Sequence, residues 1–284
     1  MALTDKLTAI ADAIRGKTGG TEELTLDQMA TEIAGISGGS GDDYFTKMLT
    51  GTTFDFESDL EEIADYALFY NYWATSVSIP NATKVGNSAF AQMNKCTHIS
   101  APKLTAVPDR FAWGTKITSV DLPPVKKIGN QAFMGTQLKS FPNLSLVEYI
   151  LDSVFQGIST ITDKSLILPS IINIGYSAFQ EITSLELVDL GENLSPKLAN
   201  SPHLRRTLFS GCIGLKTLIL RKTSLVLLEN VNAFHNTPFA SGGTGGTVYV
   251  PQALIPEYQQ ATNWSTLYAA GTCNFVAIEG SEYE

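Results

Sequence analysis

Charge is scarce in this chain, and basic charge scarcer: 17% of its 284 residues are charged, with 19 Lys or Arg against 28 Asp or Glu and a net charge of −9. With 44% hydrophobic residues, this is the composition of a folded chain rather than a disordered one. There is no block of Lys or Arg, which argues against nucleic acid or anionic lipid as the main ligand. No apolar run approaches the roughly 20 residues of a membrane span, so no membrane insertion is expected. The opening MALTDKLTAIADAIRGK carries acids where a signal peptide needs an uninterrupted apolar stretch, an expectation against the general secretory route. Cysteine is also rare. Cys96, Cys212 and Cys273 form an odd, widely spaced set without CxxC, which argues against a disulfide framework or a zinc site.

Catalytic motifs are missing as well. The three histidines, His98, His203 and His235, stand far apart in sequence with no Ser or Cys partner at motif spacing, and neither GxSxG nor HExxH occurs. The glycines of SGGTGGTVYV lead into a strand pattern, whereas phosphate cradles lead into a helix N-terminus. Adjacent carboxylates such as Glu61 and Glu62, or Glu22 and Glu23, point apart on regular structure and read as solvated. The expectation is a protein that is not an enzyme and uses no cofactor or metal. The sequons at Asn81, Asn143, Asn193 and Asn263 read as ordinary turn residues.

Self-similarity is abundant. The segments IADYALF, VGNSAF, IGNQAF, ILDSVF and IGYSAF align on a terminal Phe, and Phe69, Phe90, Phe111, Phe133, Phe155, Phe179, Phe209 and Phe234 follow at intervals of 21, 21, 22, 22, 24, 30 and 25 residues. Eight coils are in view. Six, nine and eleven residues after the Phe stand apolar side chains, as in Ile117, Val120 and Leu122, or Leu185, Val188 and Leu190. The last two offsets differ by two, the period of a strand with one buried face. Proline often follows, at Pro80, Pro102, Pro123 and Pro169, and lacks the donor that would extend the ladder. Gly86, Gly129 and Gly175 are expected to supply backbone freedom where the chain turns back. A coil of about 22 residues cannot bury its own Phe and Leu, whereas stacked coils share one core, so a solenoid is implied. Cys96 occupies the slot of Ile117 and Leu185, and it reads, like Cys212, as a small buried hydrophobe.

Copies such as IGNQAFMGTQLKSFPNL and VGNSAFAQMNKCTHISAPKL closely resemble the BspA-like leucine-rich repeat of bacterial surface and phage-associated proteins. The resemblance covers roughly residues 63–250. It implies an α+β repeat solenoid with short parallel strands on a concave side. The shortened coil after Phe133 and the long one after Phe179, where GENLSPKLANSPHL is inserted, depart from the pattern, and irregular curvature is expected there.

The ends differ from the repeat. In residues 1–37, Leu3, Leu7, Ile10 and Ile14 mark one helical stripe and Met29, Ile33 and Ile36 another, with a capping-box start at Thr25 and Gln28. Helices this short are marginal alone. The linker at 38–43 is flexible in composition, so Ile14, Met29 and Ile33 are candidate contacts to another protein. The segment ADAIRGKTGGTEELTLDQMATEIAGI resembles a helical element of tail proteins in phages and prophages of Gram-positive bacteria. Residues 44–62 suit a strand hairpin opening the solenoid. Residues 251–284 are expected to cap the last coil, with a helix over 252–268.

Surface then remains as the seat of function. Residues alternating with the buried strand positions are polar in the N-terminal coils, Ser76, Ser78, His98, Ser100, Ser119 and Asp121, and suit a hydroxyl-rich ligand. In the C-terminal coils Ile167, Leu187 and Ile219 would form a contiguous apolar stripe suited to a protein contact. Tyr70, Tyr72, Trp73 and Trp113 can stack on sugars or anchor a partner, or equally pack in the core. The resemblances together imply a non-enzymatic phage or prophage tail-associated protein in the virion. In that role it would bind a host-surface polysaccharide or protein and dock to tail or baseplate proteins through residues 1–37, as a homo-oligomer guessed to be a trimer. A bacterial cell-surface adhesin, or a purely structural tail component, is the alternative.

Overall fold

A computed structural model of the chain describes residues 53–55, 60–195 and 203–284. The expected helices of residues 1–37, with Ile14, Met29 and Ile33, the linker 38–43 and most of 44–62 lie outside the described residues, as does 196–202 within the insertion.

Two parallel ladders run along the stack, one on each side of a shared core. The first carries the strands of the expected binding face: β1 (Thr53–Asp55), β3 (Ser76–Ser78), β5 (His98–Ser100) and β6 (Ser119–Asp121) form one sheet, in that order. A second sheet runs β9 (Ser165–Leu168), β11 (Leu187–Leu190), β12 (Thr217–Leu220), β13 (Gly246–Val250) and β14 (Cys273–Ala277). Because β1 pairs parallel with β3, it is a further rung of the solenoid; the rest of the expected hairpin lies outside the described residues. The opposite ladder is built from two-residue strands, β2 (Glu62–Ile63) with β4 (Lys84–Val85), and β7 (Lys127–Ile128), β8 (Tyr149–Ile150) and β10 (Asn173–Ile174). Single bridges at Val107 to Ile128 and Leu204 to Leu228 extend it.

The break between the two large sheets has a local cause. After Phe133 the chain reaches the core with Leu138, and Lys139 N–H still donates to Thr118 O. Phe141 N–H then turns to the Asp163 carboxylate at 2.7 Å, and Pro142 has no donor at all. The Phe141 ring faces inward, 5.2 Å from Phe155 and 5.9 Å from Phe179 between centroids. This coil therefore contributes a side chain to the core but no strand to the face.

Phenylalanines 90, 111, 133, 155, 179, 209 and 234 are fully buried and in ring contact along the axis. Two positions depart from the simple register. Leu68 and Phe90 donate in the same way to the next coil, to Ala89 O and Phe111 O, which puts Leu68 in the Phe slot of the first coil. Phe69 is only half buried, against Tyr66 and Tyr70. Ala112 likewise fills the slot of the third coil, since its N–H goes to Ala132 O just before Phe133. Phe111 thus enters from the neighbouring position, and its contacts to Phe90 and Phe133 are edge-on, at 83° and 73°, where the later rings stack within 11–20°.

The turn preceding each Phe is shaped differently from the expectation. Its left-handed residues are Tyr66, Ser88, Arg110, Gln131, Ser153, Ser177 and Thr207, one in each of the first seven coils, with φ between 52° and 62°. A second left-handed residue follows four later, often Gly114, Gly135, Gly157 or Gly211, where lack of a Cβ removes the penalty. Gly86, Gly129 and Gly175 are not left-handed; a Cβ on them would overlap the backbone of the preceding coil at Asp65, Asp109 and Asp152. They permit close stacking, not turning. Next to them runs a row of acids and amides, Asp65, Asn87, Asp109, Asn130 and Asp152. Each Oδ1 accepts the backbone N–H of its counterpart in the next coil, at 2.7 to 3.2 Å. Alternation of Asp with Asn keeps like charges from stacking at the roughly 4.8 Å spacing of parallel chains.

The C-terminal end is closed by two short helices, α1 (Ile255–Gln260) and α2 (Trp264–Ala269), separated at Ala261–Asn263, in place of one helix, and followed by β14. Tyr258 and Trp264 are fully buried. Trp264 Nε1 donates to Val226 O at 2.7 Å, and Val226 N–H donates to the Tyr258 hydroxyl at 3.0 Å, satisfying the backbone where the ladder ends.

Candidate functional site

On the N-terminal sheet the strand period places Ser76, Ser78, His98, Ser100, Ser119 and Asp121 on one face. Register sets His98 opposite Ser119 and Ser100 opposite Asp121. The imidazole lies between two partners of the neighbouring strand: Nδ1 is 2.8 Å from Ser119 Oγ and Nε2 3.1 Å from Asp121 Oδ2. A proton on Nε2 directed at the carboxylate leaves Nδ1 to accept from the Ser119 hydroxyl. His98 therefore does have a Ser and an acid beside it, one coil away in sequence, which a search for local motifs does not detect. The group is open to water, with the His98 and Asp121 side chains 36% and 63% exposed. Water at that level screens the charge that nucleophilic catalysis must stabilise, while the same exposure suits hydrogen bonding to a ligand.

The aromatic candidates divide into two places. Tyr70, Tyr72 and Trp73 are exposed on the first coil, Trp73 by 56%, with Tyr70 and Tyr72 rings 5.8 Å apart. Trp113 is not joined to them by any ring contact among the described residues; it lies under the Arg110 guanidinium at 5.6 Å.

The C-terminal sheet differs from the apolar stripe expected of it. Ile167 is 58% exposed and Leu187 is half buried, but Ile219 is only 1% exposed. Its register partner is Tyr249, whose ring is met edge-on by Tyr283 at 4.7 Å, so residues after β14 return to this face. Arg221, two residues on from Ile219, binds Asp189 through Nε and Nη2 at 2.9 to 3.2 Å. Hydrogen bonding to Asp189 raises the Arg221 pKa further. Ile219 is thus removed from the candidate contact, leaving Leu187 and Ile167, which with Asp189 and Arg221 lines a notch of about 270 Å³.

The family described as BspA type leucine rich repeat region matches residues 41–125 and 105–239, in 6 copies. This chain belongs to the BspA-type leucine-rich repeat family. A leucine rich cell surface protein from Faecalibacterium prausnitzii A2-165 is similar at 19% identity with a TM-score of 0.41, over 78% of this chain and 64% of that one. The chain therefore spans just under two thirds of that structure. A leucine-rich repeat protein from Bacteroides ovatus ATCC 8483 is similar at 16% identity with a TM-score of 0.30, over 81% of this chain and 69% of that one. No curated protein is similar at a significant level.

The BspA-type register accounts for the cysteines. Cys96, Cys212 and Cys273 are buried and free, and burial pushes their thiols up to about 11, 12 and 12. Such thiols stay protonated and are poor nucleophiles or ligands. Among the described residues no group of three or more His, Cys, Asp or Glu could hold a metal ion, and no helix is long and apolar enough to cross a membrane.

Proposed function

We propose that this BspA-type chain is a non-enzymatic recognition protein that acts at a cell surface and binds a polar, hydroxyl-rich partner. The observation that carries this reading is the His98, Ser119 and Asp121 constellation, held by strand register and open to solvent. Ser76, Ser78 and Ser100 extend the same polar face. Ile167 and Leu187 give the other sheet a small apolar edge suited to a protein contact. The family match favours the adhesin reading over the virion reading, whose support lies in residues 1–37.

The test compares two kinds of surface. Labelled full-length chain is applied to Gram-positive cells and their wall glycans, and to cultured animal cells with their matrix proteins. Binding to the second set is the expected result, weakened about tenfold by Asp121→Ala with an unchanged circular dichroism spectrum; tenfold corresponds to about 1.4 kcal/mol, one charge-assisted hydrogen bond. Binding confined to bacterial cells would restore the phage reading, and binding untouched by Asp121→Ala would move the site off this face.

A further inference from the structure

The row of left-handed turn residues and the acid–amide row beside it enclose a groove of about 470 Å³, running across five successive coils from Tyr66 to Ser153. Its length follows from coil spacing, about 19 Å for four steps of roughly 4.8 Å. The lining is polar except for the Tyr66 ring at one end. Ser88 is the most buried residue of the lining, at 3% exposed, and its hydroxyl makes no hydrogen bond among the described residues, so it adds a donor and acceptor to the groove.

The walls carry further unused capacity. Arg110 is fixed over Trp113, and its Nε donates to Gln131 Oε1 at 2.8 Å, which leaves its terminal amino groups to serve a ligand. Asp152 spends Oδ1 on Tyr176 N–H at 2.9 Å, and among the described residues Oδ2 has no partner. Asp109 is fully engaged, Oδ1 and Oδ2 both taken by Asn130 at 2.7 and 3.0 Å. It helps to hold the groove's shape. Two carboxylates, Asp109 and Asp152, against one guanidinium, Arg110, leave the lining with excess negative charge, which disfavours a polyanion. A polar lining disfavours an apolar chain. Interleaved donors and acceptors over several coils match a ligand with a hydroxyl on every unit.

We propose that this groove is a second binding site, for a neutral oligosaccharide lying along the solenoid axis, with Arg110, Ser88 and Asp152 as its hydrogen-bonding anchors. The site is separate from the His98 face, and the two can fail independently.

Isothermal titration of the full chain with neutral hexasaccharides of glucose, mannose and N-acetylglucosamine tests it, with hexagalacturonate and calcium chloride as opposing probes. One or more neutral saccharides bind, and Arg110→Ala and Asp152→Asn each weaken that binding about tenfold. Asp152→Asn retains the oxygen that accepts from Tyr176, so it remains informative if Arg110→Ala fails to fold by circular dichroism. The proposal is overturned if no neutral saccharide binds, if hexagalacturonate binds more tightly, if calcium alone occupies the groove residues, or if Asp121→Ala abolishes binding that Asp152→Asn spares.

Discussion

The two sheets of the strand face are made by one repeat, yet they present opposite surfaces. In the N-terminal sheet the outward positions of β3, β5 and β6 are small or polar, and their one dense contact, His98 between Ser119 and Asp121, lies in water. In the C-terminal sheet the outward positions are larger and, beyond β9, largely covered: Ile219 lies against Tyr249, Tyr283 packs on that ring, and Arg221 reaches over to Asp189. The coil of Phe141 and Pro142 separates them. A solenoid can therefore keep its core uniform while changing its outward chemistry within one missing strand, because the core is set by inward positions and the face by the alternate ones.

Substitution in the core addresses what the halves share, and the largest effect is expected there. Phe155→Ser, at the junction, should cost about 3–5 kcal/mol through a cavity and a buried hydroxyl. Phe69→Ser should cost under about 1 kcal/mol, since Leu68 holds the core slot in that coil. Denaturant melts of the two variants test the corrected register, and equal losses would refute it.

Arg221→Ala comes next, expected to destabilise by about 2–3 kcal/mol because the Asp189 carboxylate, 13% exposed, is left without its partner. Asp189→Asn with Arg221→Met should recover much of that loss in the same melts. If Arg221→Ala is neutral, the C-terminal face is held by Tyr249 and Tyr283 alone.

His203 gives the comparison a pH dependence. His203 is buried, accepts from Leu227 N–H through Nδ1 at 3.0 Å, and among the described residues has no partner at Nε2. Burial, with Lys222 and Arg205 nearby, depresses its pKa to about 4. A base with a lowered folded pKa stays neutral in the native chain while the unfolded chain takes up a proton. Stability is therefore lost as pH falls from about 6.5 toward 4, on the order of 2 kcal/mol by pH 5. His203→Gln should flatten that part of the profile; a profile identical to the parent's would show that His203 finds a proton acceptor when charged.

The smallest effect on stability belongs to the exposed edge. Ile167→Ser should change stability by no more than about 0.5 kcal/mol while weakening any protein contact made by the C-terminal half, read as loss of pull-down of the partner found with the parent chain. Unchanged capture would leave the N-terminal face as the recognition surface.

Periodic spacing of Phe, Leu and Pro was enough to derive parallel coils, a shared core and buried cysteines, because each is a consequence of burial repeated at a fixed interval. A departure from the repeat after Phe133 was also legible, though not that it removes a strand from the face. The one-residue offsets at Phe69 and Phe111 were not, since sequence alignment follows the largest side chain whereas the fold follows the backbone ladder. Nor could the spacing show that Gly86 stands where chains approach closely, that Ile219 is covered, or that Ser119 and Asp121 flank His98. Those facts depend on which residues of separate coils and of the returning C-terminal segment become neighbours. Composition and period determined that this chain stacks; lateral register, decided only in three dimensions, determined which side chains meet and hence what its surfaces can bind.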